Sequence, residues 1–224
     1  MPTRLVPTAA SRLPKETIDA WRVVPSAVAA DRLNGRCHAD ARIRPLRPFA
    51  PGAILVGSAV TAWCEPADYG PVHHAIAIAE AGDVIVVAAG GRRDAAMIGE
   101  LLSGAARGKG IAGVLVDGAV RDAGTLRQWT DFSVFTRWVT PRGPSSMERG
   151  TVNDTIVFGG VQVSPFDLVI ADDDGVVIVP RSLAAERLDQ CLARLAAEKL
   201  WEADLAKGVS TVDLFKVPPL LTEG

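Results

Sequence analysis

Four short runs rich in Val, Ile and Ala, each bounded by turn residues, limit the fold most: Ile54 to Ala62, Asp83 to Ala89, Gly113 to Asp117 and Ser133 to Trp138. Runs of this length and branching suit strands buried on both faces. Helical spacing fills gaps between them, over Pro71 to Ala81 and over Gly99 to Arg107, with Gly108 as a stop. Strand, helix, strand at this spacing predicts crossover units with parallel pairing.

The pattern changes after Gly150. Thr155 to Phe158, Val161 to Val163, Leu168 to Ile170 and Val176 to Val179 read as strands, and Asp172-Asp173-Asp174-Gly175 joins the last two as a hairpin. Pro180 then leads into the longest helix, Ser182 to Lys207, stopped by Gly208. At the other end, Thr17 to Val24 and Ser26 to Leu33 carry helical spacing, with Asn34-Gly35 as a stop. The expected organisation is one α/β domain: an N-terminal helical arm (1–50), a core (51–180) and a C-terminal helical extension (181–224). Only 5% of residues are aromatic, so the core must be built from Val, Ile, Leu and Ala.

Charge and cysteine usage exclude several function classes. Twenty-four basic residues against 26 acidic ones provide no electrostatic hold on nucleic acid. No run of about 18 apolar residues predicts a membrane span, and Met1 to Leu13 lacks the apolar centre of a signal peptide. Cys37, Cys64 and Cys191 are far apart and odd in number, as expected for reduced thiols in a cytoplasmic protein. Neither GxSxG, a Walker A loop nor GxGxxG after a strand occurs. The five lysines lie in polar or loop contexts unsuited to Schiff-base chemistry.

Two segments place functional groups at the carboxyl end of an expected strand. A helix beginning near Gly99 would present backbone N–H groups without intrahelical partners, an anion site for carboxylate or phosphate. The same segment also suits a plain β–turn–helix joint. The second segment, Val114-Leu115-Val116-Asp117-Gly118-Ala119-Val120-Arg121-Asp122, ends on an Arg beside an Asp. Arg offers a planar fork for a carboxylate, and Asp can ligate Mg²⁺, which needs few protein ligands. A surface ion pair is the other reading. His73 and His74 read as helix residues with a structural role, and Asp172 to Asp174 as turn chemistry rather than a metal site.

The order and spacing of several motifs resemble a known family. They are Gly57-Ser-Ala-Val-Thr61, Gly82-Asp-Val-Ile-Val-Val87, Gly99-Glu-Leu-Leu102, Gly113-Val-Leu-Val-Asp-Gly-Ala-Val-Arg-Asp122, Gly159-Gly-Val161 and Ala171-Asp-Asp-Asp-Gly-Val-Val-Ile-Val-Pro180. Over roughly residues 25 to 215 the chain is similar to the family that joins 4-hydroxy-4-methyl-2-oxoglutarate / 4-carboxy-4-hydroxy-2-oxoadipate aldolases with the regulator of ribonuclease activity A (RraA).

That resemblance implies a swivelling β/β/α fold, a homotrimer or dimer of trimers with active sites between subunits, and a class II pyruvate aldolase dependent on Mg²⁺ or Mn²⁺. Carried onto this chain, it makes Asp122 the metal ligand and Arg121 the holder of the keto-acid end. The amides of Gly99, Glu100, Leu101 and Leu102 would receive the substrate carboxylate, and the Glu100 side chain would hold metal-bound water. A Glu from a neighbouring subunit's C-terminal helix would complete the proton relay, with Glu198 the best match and Glu202 the second. The implied substrate is a 4-hydroxy-2-oxo-dicarboxylate, with oxaloacetate decarboxylation as a side activity.

About 45 residues follow Pro180, which favours the aldolase branch over the short regulators. The alternatives are an RraA-like protein that binds a ribonuclease, or an enzyme for a different 2-keto acid. The chain departs from the family pattern at Tyr69, where Asn is usual, and at Phe166, where a turn glycine is usual. Trp63 and Cys64 lie near Tyr69 in sequence, and with it they point to a pocket of different shape.

Overall fold

Val and Ile favour extended backbone, and runs apolar on both faces are stable only between two covering layers. The structure, a computed structural model, describes residues 2–33, 35, 37–65 and 68–221. The N-terminal part forms β1 (Arg4–Leu5), α1 (Lys15–Trp21), α2 (Ser26–Arg32) and β2 (Arg44–Pro45). The centre follows with β3 (Leu55–Cys64), α3 (Gly70–Ile78), β4 (Val84–Ala88), β5 (Ala96–Ile98), α4 (Glu100–Gly108), β6 (Gly113–Val120), α5 (Ala123–Leu126) and β7 (Ser133–Val139). Five short strands come next: β8 (Gly150–Val152), β9 (Ile156–Phe158), β10 (Val161–Val163), β11 (Leu168–Asp172) and β12 (Gly175–Val179). The chain closes with α6 (Ala184–Ala206) and α7 (Thr211–Leu214).

The main sheet runs β1-β8-β3-β4-β6-β7-β2, and its β3-β4-β6-β7 centre is parallel, as the crossover spacing predicts. The ten-residue β3 serves two layers. Leu55 to Ser58 pair antiparallel with Ala171 to Leu168 of β11, whereas Ala59 to Trp63 pair with Val84 to Ala88 of β4. The β11–β12 hairpin is antiparallel, with Asp172 opposite Gly175, as read from its Asp-Gly turn.

Three apolar clusters fill the layers. One face of the parallel sheet buries Val60, Ile85, Val87, Val114 and Val116 with Val72 and Ile76 of α3. The opposite face buries Val84, Val86 and Leu115 with Phe158, Val169 and Ile178. Beyond the hairpin, Ile170, Val177 and Val179 pack with Trp21, Val28 and Cys191 of α1, α2 and α6. Each fully buried Val or Ile contributes about 1.5–3 kcal/mol relative to exposure. The result is a mixed α/β architecture, two β layers flanked by helices, with a long C-terminal helix.

Helix α3 stops at Ile78, short of the Ala81 that periodicity allows. The Lys109 ammonium caps the Ile76 and Ala77 carbonyls, each at 2.8 Å. Buried Asp83 accepts from the Glu80 amide at 2.8 Å and from both Nε and Nη2 of Arg12, fixing the following turn. In α6, Ala184, Leu188, Cys191 and Leu195 face the core at four- and three-residue steps. Past Leu195 the helix carries Leu200 and Leu205 on its exposed surface, and Trp201 meets Phe215, just after α7, edge-on at 5.4 Å. The three cysteines are free and buried. The expected stop at Asn34-Gly35 falls partly outside the described residues, since Asn34 is not among them. Among the described residues, no helix is long and apolar enough to cross a membrane.

Candidate active site

Strand β6 runs three residues beyond Asp117 and ends at Val120, so Arg121 and Asp122 emerge at the carboxyl edge of the parallel sheet. Ligands of open α/β sheets bind at this edge. The Arg121 amide donates to the Ile98 carbonyl at 3.0 Å, tying the β6 end to the β5 end just before α4. Asp122 adopts a left-handed backbone, φ 56°, a region where Asp is tolerated better than most residues. That turn sends its carboxylate back to the start of α4, where Oδ2 accepts the Glu100 amide at 2.9 Å.

Asp122 thus lies against the positive end of α4, which stabilises its charge. Ser103 N–H already bonds the Gly99 carbonyl at 3.0 Å. Glu100 N–H is taken by Asp122, so Leu101 and Leu102 are the first-turn amides left without an intrahelical acceptor. Of the four amides expected to form an anion site, Gly99 to Leu102, that of Glu100 is thus already engaged by Asp122.

Arg121 Nε lies 3.6 Å from Asp122 Oδ2, with both side chains more than a third exposed, so the pair contributes little stability. Glycines make room for the guanidinium. A Cβ at Gly143 would lie 2.7 Å from Arg121 Nη1, and one at Gly99 would lie 2.7 Å from Arg121 Cγ and collide with Asp122 Oδ2. At Gly99 a side chain would press on both Asp122 and the Arg121 stem, whereas at Gly143 it would displace only the tip of the guanidinium.

Arg121 and the Gly99 turn line a cavity of about 200 Å³ together with Tyr69, His73, Ile98 and Gly143. Two larger hollows, of about 520 and 550 Å³, contain none of the expected site residues. The one beside Ala112 and Ser133 lies at the amino ends of β6 and β7, the wrong edge for a ligand of this sheet. Glu100 is exposed on the first turn of α4. Glu198 is on α6, where it accepts from Arg194 Nε at 2.6 Å, and Glu202 is exposed one turn further on. Neither glutamate lines the cavity of its own chain.

His73 and the Gly143-Pro144 turn join the site without a signal in the local sequence. His73 lies one helical turn from Tyr69, and their rings meet edge-on at 4.9 Å. Partial burial and then the adjacent His74 hold the His73 imidazole below the ordinary histidine value. Pro141 to Pro144 is a turn-rich stretch following β7, the neighbour of β6, and topology alone brings it to the same edge.

Tyr69 is held from below by Asp68, whose carboxylate accepts the Glu148 amide at 2.9 Å and Arg149 Nε at 2.8 Å. Burial pushes the Asp68 pKa up, but hydrogen bonds from Ser146, Glu148 and Arg149 outweigh it and bring the value down to about 2. The unfolded chain has a pKa of about 3.9, so this clamp stabilises the fold above that pH and is lost as pH falls toward 2. Thermal melts should therefore show Tm falling between pH 4 and pH 2, and Asp68→Asn should reduce the steepness of that fall.

Beneath the site, Asp117 is buried and accepts from Arg137 Nε and from the Gly159 amide, the latter at 2.9 Å. Arg137 Nη1 in turn donates to Asp40 Oδ2 at 2.8 Å. These pairs lock β6 to β7 and to the β9–β10 hairpin just before Arg121. Among the described residues, no three His, Cys, Asp or Glu side chains come together as a metal cage.

A family model described as RraA-like, Aldolase/RraA, matches residues 18–178. The chain belongs to this family. Over 195 residues it is 31% identical to a Halalkalibacterium halodurans protein named "Putative 4-hydroxy-4-methyl-2-oxoglutarate aldolase", covering 87% of this chain and 91% of the relative. Among solved structures, an uncharacterised Pseudomonas syringae pv. tomato protein matches with a TM-score of 0.77 and 25% identity, covering 90% of this chain and 97% of that one. Streptomyces coelicolor RraAS2, described as an unusual member of the RNase ES inhibitor RraA family, matches with a TM-score of 0.76 and 28% identity. That likeness covers 86% of this chain and 100% of RraAS2. Family members thus include proteins named as aldolases and others named as ribonuclease inhibitors.

Proposed function

We propose that this RraA-like chain is a divalent-metal-dependent carbon–carbon lyase that releases pyruvate from a 4-hydroxy-2-oxo acid and decarboxylates oxaloacetate by the same route. The observation that carries the reading is the cavity that Arg121 and the start of α4 line at the carboxyl edge of β6, with the Asp122 carboxylate beside that lining, on the Glu100 amide. The halalkaliphile relative's name supports 4-hydroxy-4-methyl-2-oxoglutarate as the reference substrate.

A 40% exposed carboxylate that belongs to no cluster of three or more His, Cys, Asp or Glu among the described residues suits Mg²⁺ or Mn²⁺, cations that keep several waters and take few protein ligands. Asp122 would hold the ion, Glu100 would orient its water, and the bound ion would supply Lewis acidity toward the keto oxygen. Arg121 presents its planar fork to the substrate carboxylate and C2 oxygen. The Leu101 and Leu102 amides receive the outer carboxylate oxygen.

Cleavage begins when a base takes the C4 hydroxyl proton. The C3–C4 bond then breaks, C4 leaves as a carbonyl, and the electron pair forms the enolate of pyruvate. Charge develops on the C2 oxygen facing Arg121, so stabilisation there is greatest in the transition state. Protonation at C3 completes pyruvate. With oxaloacetate, carbon dioxide leaves instead of the carbonyl fragment.

Glu198 of a neighbouring subunit is assigned the proton relay in a homotrimer or a dimer of trimers. Its place on the part of α6 beyond Leu195, where it is half-buried and paired with Arg194, supports this assignment. Pyruvate release measured with lactate dehydrogenase tests the reading. Asp122→Ala and Glu198→Ala should each be inactive, but co-refolded subunits should recover about a quarter of wild-type activity, the share of interfaces pairing two intact residues. No recovery from two folded, assembled variants would place both residues in the same subunit's site.

The likeness to RraAS2 supports a second reading, a regulator that binds a ribonuclease. Retention of a purified ribonuclease on the immobilised protein, in the absence of any pyruvate release, would favour it.

A further inference from the structure

Resting on the lyase reading, we infer that Thr3 and strand β1 are positioning elements of the active site, holding the Gly143–Pro144 wall of the cavity against Arg121. Residues 3–12 lie ahead of the stretch that the family model matches, and the cleavage steps above make no use of them.

The wall belongs to the connection 140–149, between the end of β7 and the start of β8. Its first half is tied to β5, where the Ala96 amide donates to the Arg142 carbonyl at 2.8 Å. Its second half is tied to the start of α3. There the Tyr69 amide donates to the Ser146 carbonyl at 3.1 Å, and Asp68 accepts from the Glu148 amide and Arg149 Nε. Gly143 and Pro144 lie between these ties and line the cavity, with Gly143 against the tip of the Arg121 guanidinium.

The N-terminal arm closes this connection from the outside. Thr3 Oγ1 donates to the Glu148 carbonyl, Arg4 and Leu5 pair parallel with Thr151 and Val152 of β8, and the Val6 amide donates to the Val152 carbonyl at 2.9 Å. A Cβ at Gly70 would collide with the Met147 carbonyl oxygen and lie 2.8 Å from Thr3 Oγ1, so Thr3, the connection and the first residue of α3 meet at one point. A two-residue edge strand near a terminus stays ordered only if it is tied down elsewhere. Arg12 is that second tie: it forks onto buried Asp83, pairs with Glu80 at 2.9 Å and lies 4.7 Å over the Phe166 ring. All of these contacts are made within one chain.

Without β1 the Glu148 and Val152 carbonyls lose donors, and the connection keeps only its ties to β5 and α3. The wall beside Arg121 is then free to shift, and a displacement of about 1 Å in a group that orients substrate costs up to about a hundredfold in rate. Asp122 is anchored separately, on the Glu100 amide of α4, so metal binding does not depend on β1.

The test compares the intact protein with Thr3→Val, Thr3→Ser and a variant lacking residues 2–6, by pyruvate release from 4-hydroxy-4-methyl-2-oxoglutarate with Mg²⁺ and by amide hydrogen exchange. Deletion should raise KM about tenfold with little change in kcat, and the Mg²⁺ concentration giving half-maximal rate should stay the same. Thr3→Val should raise KM about threefold, the worth of one hydrogen bond, whereas Thr3→Ser, which keeps the hydroxyl, should match the intact protein. Amides of 140–149 should exchange about tenfold faster in the deletion variant, while those of β4 and β6 keep their protection. Pyruvate release with KM unchanged by the deletion, or exchange over 140–149 unchanged, would overturn the inference and leave the lyase reading standing. Protection lost across β4 and β6 as well, with kcat falling alongside, would also overturn it, because β1 would then serve the fold and not the wall. Absence of pyruvate from the intact, Mg²⁺-supplied protein would overturn both.

Discussion

Replacing Asp122 by Asn is expected to abolish metal-dependent pyruvate release, with kcat down about a thousandfold or more, while the protein stays folded. The Asn variant is the informative one. Asp122 has a left-handed backbone and accepts the Glu100 amide at 2.9 Å, and Asn satisfies both requirements. It lacks only the negative charge that a cation needs. Asp122→Ala should be equally inactive but also lose the α4 cap, at about 0.5–2 kcal/mol. Steady-state kinetics and thermal melts separate these effects. A folded Asn variant with near wild-type kcat would remove Asp122 from the metal site.

Asp117→Ala should produce the largest loss of stability, about 3 kcal/mol, because it strips the buried Arg137 of its Nε partner and leaves only Asp40 at Nη1. Side-chain exposure is 9% for Arg137 and 8% for Asp117, so little water can take over. The Gly159 amide would lose its acceptor as well. Removing both charges together should be milder. Asp117→Ala combined with Arg137→Met is expected to unfold at higher urea concentration than Asp117→Ala alone. A single variant as stable as wild type would mean that the buried pair does not hold the end of β6.

The parallel centre could be read from the sequence because periodicity and branching are local properties. β4 is almost wholly Val and Ile, β3, β6 and β7 are runs of mostly apolar residues, and the Asp-Gly turn of the β11–β12 hairpin carries its own conformational signal. β5 and β8 have three residues each, too few for any period to show, and they exist because β6 and β3 offer unpaired edges. The site divides in the same way. Arg121 and Asp122 are neighbours in sequence, and Gly99 begins a recognisable helix. Tyr69, His73 and Gly143 meet them only through crossover connections, which no window of the sequence contains. The capture of the Glu100 amide by Asp122 depends on a positive φ that Asp permits but does not require.

The central claim is that Asp122 and Arg121 serve metal-assisted carbon–carbon cleavage. The most direct measurement is pyruvate formed from oxaloacetate and from racemic 4-hydroxy-4-methyl-2-oxoglutarate, with Mg²⁺ and then with excess EDTA, while circular dichroism follows the fold. The predicted result is pyruvate that appears with Mg²⁺, disappears with chelator and returns when Mg²⁺ is restored, with the spectrum unchanged throughout. Pyruvate formation that is indifferent to EDTA, or absent from a folded, Mg²⁺-supplied protein, would contradict it.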